Sequence, residues 1–218
     1  MLWIALAAVP FSIPLMIGAP GGDIRTVFSN DDFPDYLLRG PAASRTVYTR
    51  TTVLPDGAIQ NCTVDVSSGD RALDSYTCGL ILKRAKLRPA TWTDGLPAYG
   101  VIRQPINWWV GDSPISEVAR VKAINPDLDL SVDRLPTGAP AIIAVELEVA
   151  VDPDGKVSAC AQLPPVSKHQ RQFPELVQPT CQQVTSRLKL HPPVDPSGSP
   201  VRSIQTVLVH VQASRDAK

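Results

Sequence analysis

The phrase VLPDGAIQNC (residues 53–62) returns later in the chain as VDPDGKVSAC (residues 151–160), with Val, Pro, Asp, Gly and Cys in register. Each copy reads as the middle of a β-hairpin. Pro fixes one backbone dihedral, Gly permits the positive φ of a tight turn, and Asp supplies a local hydrogen bond. Ahead of the second turn, IIAVELEVAV (residues 142–151) alternates cleanly. Ile143, Val145, Leu147, Val149 and Val151 point one way, and Ala144, Glu146, Glu148 and Ala150 point the other. A period of two with one apolar face predicts a half-buried antiparallel strand. RTVYTRTTV (residues 45–53) is its counterpart, and Ile59, Cys62, Val64 and Val66 ride the returning strand of the first copy.

The likeness extends downstream. SSGDRALDSYTCGLILKRAK (residues 67–86) has Ser68 or Asp70 to cap a helix, an apolar stripe at Leu73, Tyr76, Leu80 and Ile81, and cations in the last turn. Its counterpart is FPELVQPTCQQVTSRLKL (residues 173–190), where Pro174 and Pro179 predict a shorter or later-starting helix. The copies converge again at LRPATWTDGLP (87–97) and LHPPVDPSGSP (190–200), and each ends in a strand, VIRQPINWWV (101–110) and IQTVLVHVQ (204–212). The unit is hairpin, helix, strand, written twice. FPDYLLRGP (33–41) adds a short helix before the first copy, and residues 116–124 are expected to do the same for the second. Pro105 marks the first terminal strand as an edge or bulged strand, because it removes a backbone donor.

Acidic and basic residues number 21 each, so no bulk field draws the chain to nucleic acid or an anionic membrane. The first 19 residues carry no charge. They read as an export signal, with a small-residue cleavage site near residues 18–22, or alternatively as a retained inner-membrane anchor. Either way the remainder lies outside the cytoplasm, where four cysteines favour disulfides. The repeat selects one of the three pairings, Cys62 with Cys78 and Cys160 with Cys181, each inside one copy. No Cys-x-x-Cys pair exists, and His169, His191 and His210 stand apart from the cysteines, so neither a metal site nor a cofactor is expected. Nucleophile-elbow, zinc-protease and phosphate-loop signatures are missing, and no enzyme is expected. Asp56 and Asp154 are assigned to turn chemistry, the basic run from Lys83 to Arg88 to a solvated helix end, and Trp108 and Trp109 to one core and one half-exposed indole. The sequon at Asn61, Cys62 and Thr63 is discounted.

Taken in order, Phe33 and Pro34, the alternating strand, the turn at Pro55, Asp56 and Gly57, the run Ser67, Ser68, Gly69, the ALD of residues 72–74, the LRPA of 87–90, and Gly95 with Pro97 resemble the TonB C-terminal domain. The resemblance covers roughly residues 28–110. The second copy keeps the hairpin, the cysteine, the post-helix proline and the Gly-x-Pro, but lacks the aromatic-Pro and the Ser-Ser-Gly. The family implies an α+β chain of two modules, residues 28–110 and 117–212, each a small antiparallel sheet with packed helices, preceded by a signal or anchor (1–22) and followed by a flexible tail (213–218). It also implies a non-enzymatic periplasmic module in a Gram-negative envelope that binds a protein or extended peptide by strand addition, linked to TonB-dependent transport. The long Pro- and Lys-rich spacer of the family is missing, which favours an adaptor over an energy transducer. The expected partner-binding residues are Phe33 and Pro34 with Thr206, Val207, Leu208, Val209 and His210 on the terminal strand edge. The alternative is a structural envelope protein that self-associates through its sheet edges.

Overall fold

The computed structural model describes residues 17–22, 24–38, 45–108, 125–163 and 173–214. The chain is α+β, with one large open mixed sheet and few helices. A short helix α1 (Asp35–Leu38) precedes β1 (Arg45–Val53), β2 (Ile59–Val66), helix α2 (Arg71–Arg84), β3 (Ala90–Thr91) and β4 (Pro97–Trp108). Then follow β5 (Leu128–Val132), β6 (Ile142–Val151), β7 (Val157–Gln162), helix α3 (Pro174–Arg187) and β8 (Ser203–Ala213). The helix expected near residues 116–124 lies outside the described residues. Residue 213, assigned to a tail, instead ends β8 opposite Val132.

Both hairpins form as the turn chemistry dictates. The Asp56 carboxylate accepts the Ala58 N–H at 2.9 Å, and Asp154 accepts that of Lys156 at 3.2 Å. Gly57 and Gly155 take φ of +85° and +84°. Both also meet a second constraint that the turn alone does not impose. The Gly57 carbonyl accepts the Leu87 N–H, and the Gly155 carbonyl accepts the Leu190 N–H, each at 2.9 Å. A Cβ on Gly57 would stand 1.9 Å from the Leu87 oxygen, and one on Gly155 would stand 2.3 Å from the Leu190 oxygen. Each turn is therefore the dock for its own post-helix segment.

Helix α2 starts where Asp70 accepts the N–H groups of Ala72 and Leu73 at 2.9 and 3.2 Å. The Ser-Ser-Gly run has a local use as well, since Ser68 donates both its N–H and its hydroxyl to buried Asp74 on the first turn. Of the two outcomes expected for helix α3, the later start is found and the shorter length is not. It has 14 residues, as α2 does, and both begin seven residues before their cysteine. Pro174 occupies the first helical position, where its missing N–H has no partner to lose. The extra residues of the second copy precede the helix.

The strand order is β2-β1-β4-β8-β6-β7, with β3 on β4 and β5 on β8. Each copy supplies three antiparallel strands, and the two sets merge through a parallel contact between β4 and β8. The expected pair of separate small sheets is one continuous sheet. Its register decides where the helices go. Gly100 pairs with Val53 and Ser203 pairs with Val151, so Gly100 and Ser203 are counterparts. Across the join, however, Gly100 pairs with Ile204. A slip of one residue exchanges the faces of a strand, so α2 and α3 cover opposite sides of the sheet. Accordingly Leu73, Leu80 and Ile81 of α2 pack with Val47, Ile106 and Trp108, while Val184 of α3 packs with Val145, Leu147, Val149, Val207 and Val209. A third cluster at the join unites Ala90, Trp92, Ala98, Ala150, Ala159 and Ile204.

Candidate functional site

Past Val101 and Gln205 the strands β4 and β8 part, and β5 enters beside the far half of β8. Pro105 stands on β4 within this fork. The Arg103 N–H points toward β8 and donates to the Thr206 hydroxyl at 2.9 Å, so alternation aims the proline nitrogen at the same unpaired side. No ladder bond is lost there.

The fork gathers four charges that the sequence reading did not connect. Arg50 on β1 and Arg103 on β4 are directly opposite one another, an arrangement of like charges that destabilises a sheet unless carboxylates intervene. Asp65 on β2 bonds the Nε of both, at 3.0 and 2.6 Å. Asp127, just ahead of β5, takes Arg103 Nη1 at 2.8 Å and lies 3.8 Å from Arg50 Nη2. Asp127 also fixes the backbone of β8: its carboxylate accepts the Leu208 N–H at 2.8 Å, and its own N–H donates to the Leu208 carbonyl. Sequence offers only a faint signal for this square, since Arg50 and Arg103 merely fall on the polar side of alternating strands.

Beside the square opens a cleft of about 390 Å³, floored by Thr52, Val101 and Gln205 and walled by Arg50 and Asp127. The segment from Leu190 to Pro193 roofs it, held by a bond from Gln205 Nε2 to the His191 carbonyl at 3.0 Å. The four charges neutralise one another, so the cleft presents hydrogen-bonding groups without a net field. Among the described residues no three His, Cys, Asp or Glu side chains gather to hold a metal ion, and no helix is long and apolar enough to cross a membrane.

Among the described residues the sheet ends in β2 on one side and β7 on the other. Each terminal strand is fastened to its helix by a disulfide, Cys62 to Cys78 and Cys160 to Cys181, as the repeat requires. Two such bonds fit an oxidising, exported environment. Just past β7 the Leu163 N–H donates to the Glu146 carbonyl. Antiparallel alternation then turns the amides of Gln162 and Cys160 outward, away from β6.

The residues expected to bind a partner lie elsewhere than on an edge. β8 is interior, paired with β6 along residues 203–212 and with β4 and β5 on its other side. Val207 and Val209 belong to the core under α3. Thr206 and Leu208 bond Arg103 and Asp127, as above. His210 is buried, its Nδ1 3.9 Å from Asp129, and burial lowers its pKa against the raising effect of that carboxylate. Residues 203–212 therefore offer no free edge, which corrects the expectation of strand addition there. A clean alternation cannot distinguish a terminal strand from a central one, because both faces of a sheet are independent of its edges. Phe33 packs its ring 5.9 Å from that of Trp108, with Phe28 at 5.4 Å on the same indole. The Pro34 carbonyl accepts the Leu37 N–H. Trp108 is buried and donates Nε1–H to Thr77 at 3.0 Å. Trp109 lies outside the described residues.

No family model, curated protein or solved structure matches this chain.

Proposed function

We propose that this protein is a non-catalytic binding module of the exported, periplasmic compartment that captures a protein or an extended peptide by strand addition, in the manner of a TonB C-terminal domain and in connection with TonB-dependent transport. The sequence resemblance of residues 28–110, the repeated hairpin-helix-strand unit and the two disulfides support this reading. The observation that carries it is β7. It is a terminal strand whose outward amides include Gln162, and its sequence VSACAQ holds no charged residue and no proline. Such residues normally protect an exposed edge from pairing. β2 is the poorer edge, because it carries Asp65 and is bridged at Gln60 to the Val194 carbonyl.

Gln162→Pro tests the proposal. It removes an outward N–H while leaving the ladder to β6 intact. Pull-down from a periplasmic extract should retain a specific partner with the wild type and lose it with this variant, the circular dichroism spectrum being unchanged. A partner held equally by both proteins overturns strand addition at β7. Concentration-dependent dimerisation that Gln162→Pro abolishes would assign the edge to a second copy of the chain and support the self-associating envelope protein instead.

A further inference from the structure

Residues 17–22 form an additional extended segment of the folded body. Gly18 exchanges both backbone hydrogen bonds with Thr91, at 3.0 and 2.8 Å, and Gly21 exchanges both with Arg88, at 3.0 and 2.7 Å. Between them the Ala19 N–H donates to Oε2 of Glu148 at 2.8 Å. Glu148 lies on β6, facing away from α3, and is 7% exposed. A buried carboxylate needs a donor, and removal of that donor leaves the full desolvation cost uncompensated. Pro20 fits against Gly100 so closely that a Cβ there would stand 2.0 Å from its Cγ. Ile17 and Ala19 complete the cluster of Trp92, Ala150 and Ile204 at the join of the two copies.

The same residues hold the small-x-small pattern that an export peptidase reads, Ala19, Pro20 and Gly21. Cleavage after Gly21 would strip four main-chain bonds from the fold, leave Glu148 buried without its donor and uncover the apolar cluster at the join. Residues 9–16, VPFSIPLM, offer no small-x-small alternative.

We propose that the working protein keeps residues 17–22 as a structural segment received by Glu148 and Gly100, so that export processing does not remove them. This goes beyond the binding reading and does not depend on it.

The test is the full chain expressed in a Gram-negative host, with intact mass of the product. The expected product includes residues 17–22. A product that begins at any residue from 18 to 23 overturns the proposal. Two full-chain variants test the docking itself by limited proteolysis. Ala19→Pro deletes the N–H given to Glu148 without adding bulk beside Gly100, and Gly100→Val evicts Pro20. Each should raise the cleavage rate within residues 17–22 at least about threefold, as local opening becomes easier. Wild-type protection in both variants overturns the assignment of Glu148 and Gly100 as the receptors of this segment.

Discussion

Gly100 of β4 lies beside Ile204 of β8, one residue out of step with Ser203, its counterpart in the repeat. That slip lets two copies of one unit share a sheet while their helices occupy opposite faces. It also places Ile204, which is fully buried, in a cluster built from both copies and the segment at residues 17–19. The two copies should therefore unfold together. Urea titrations followed by tryptophan fluorescence and by circular dichroism are expected to superimpose as one transition. Ile204→Ala should lower the midpoint of that single transition by about 3 kcal/mol equivalent. Two separated transitions would show that the copies are independent domains.

The disulfides close loops with separations of 16 and 21 residues. Intact mass under non-reducing conditions should show all four thiols oxidised. Replacing either pair by alanine should cost about 3 kcal/mol by the loop-entropy estimate. Equal losses are expected from the two pairs, because the loops are similar in length. A variant lacking Cys160 and Cys181 that melts with the wild type would show that β7 is held by packing alone.

Asp127 ties the charge square to β8. Asp127→Ala leaves Arg103, whose side chain is 14% exposed, with only Asp65 and the Asn125 carbonyl, and it removes the acceptor of the Leu208 N–H. The expected loss is about 3 kcal/mol, typical of breaking a shielded pair from one side. Asp127→Asn should recover part of it by keeping an acceptor for Leu208. Thermal melts of the two variants check the order.

Two carboxylates respond to pH in opposite senses. Burial raises the Glu148 pKa above 4.5, opposed by the bond from Ala19. Its contribution to stability is fully present below 4.5 and is lost as pH rises through the raised value. Glu148→Gln should therefore remove a decline in stability between acid and neutral pH. The Arg84 hydrogen bond, with help from Ser29, lowers the Asp32 pKa to about 2. Asp32 contributes stability above 3.8, and this is lost as pH falls through about 2, so Asp32→Asn should flatten the acid limb. Urea midpoints measured across that range would show two limbs of opposite slope, each removed by one substitution.

Gly57→Ala and Gly155→Ala should each destabilise by more than the ~1 kcal/mol expected for a lost positive-φ glycine alone. The added methyl meets the carbonyl oxygen of the very residue whose N–H the turn glycine accepts, Leu87 in one copy and Leu190 in the other. Denaturant midpoints of the two variants check this, with matched losses expected from matched geometry.

Residue chemistry alone made much of this molecule legible. Pro-Asp-Gly turns, the alternation of residues 142–151, the Asp70 cap and the pairing of cysteines within each copy are local, or are fixed by comparing one copy with the other. Pro174 and Pro179 marked the later start but not the full length, because helix length depends on where a proline falls in the first turns and on the packing that holds the rest.

The candidate site was not legible for a related reason. Arg50, Asp65, Arg103 and Asp127 come from four separate segments, and no spacing along the chain relates them. The strand of residues 203–212, expected to present an edge, lies in the interior of the sheet, because alternation reports faces and is silent about edges. The sequence by itself determined the repeated unit and its staples. Only the tertiary structure decided that the two units merge out of step, which strands remain terminal, and that Glu148 receives residues 17–22. Those outcomes rest on long-range pairing, above all at the β4–β8 join, where main-chain bonds are common to every residue type and the local sequence does not specify the partner strand.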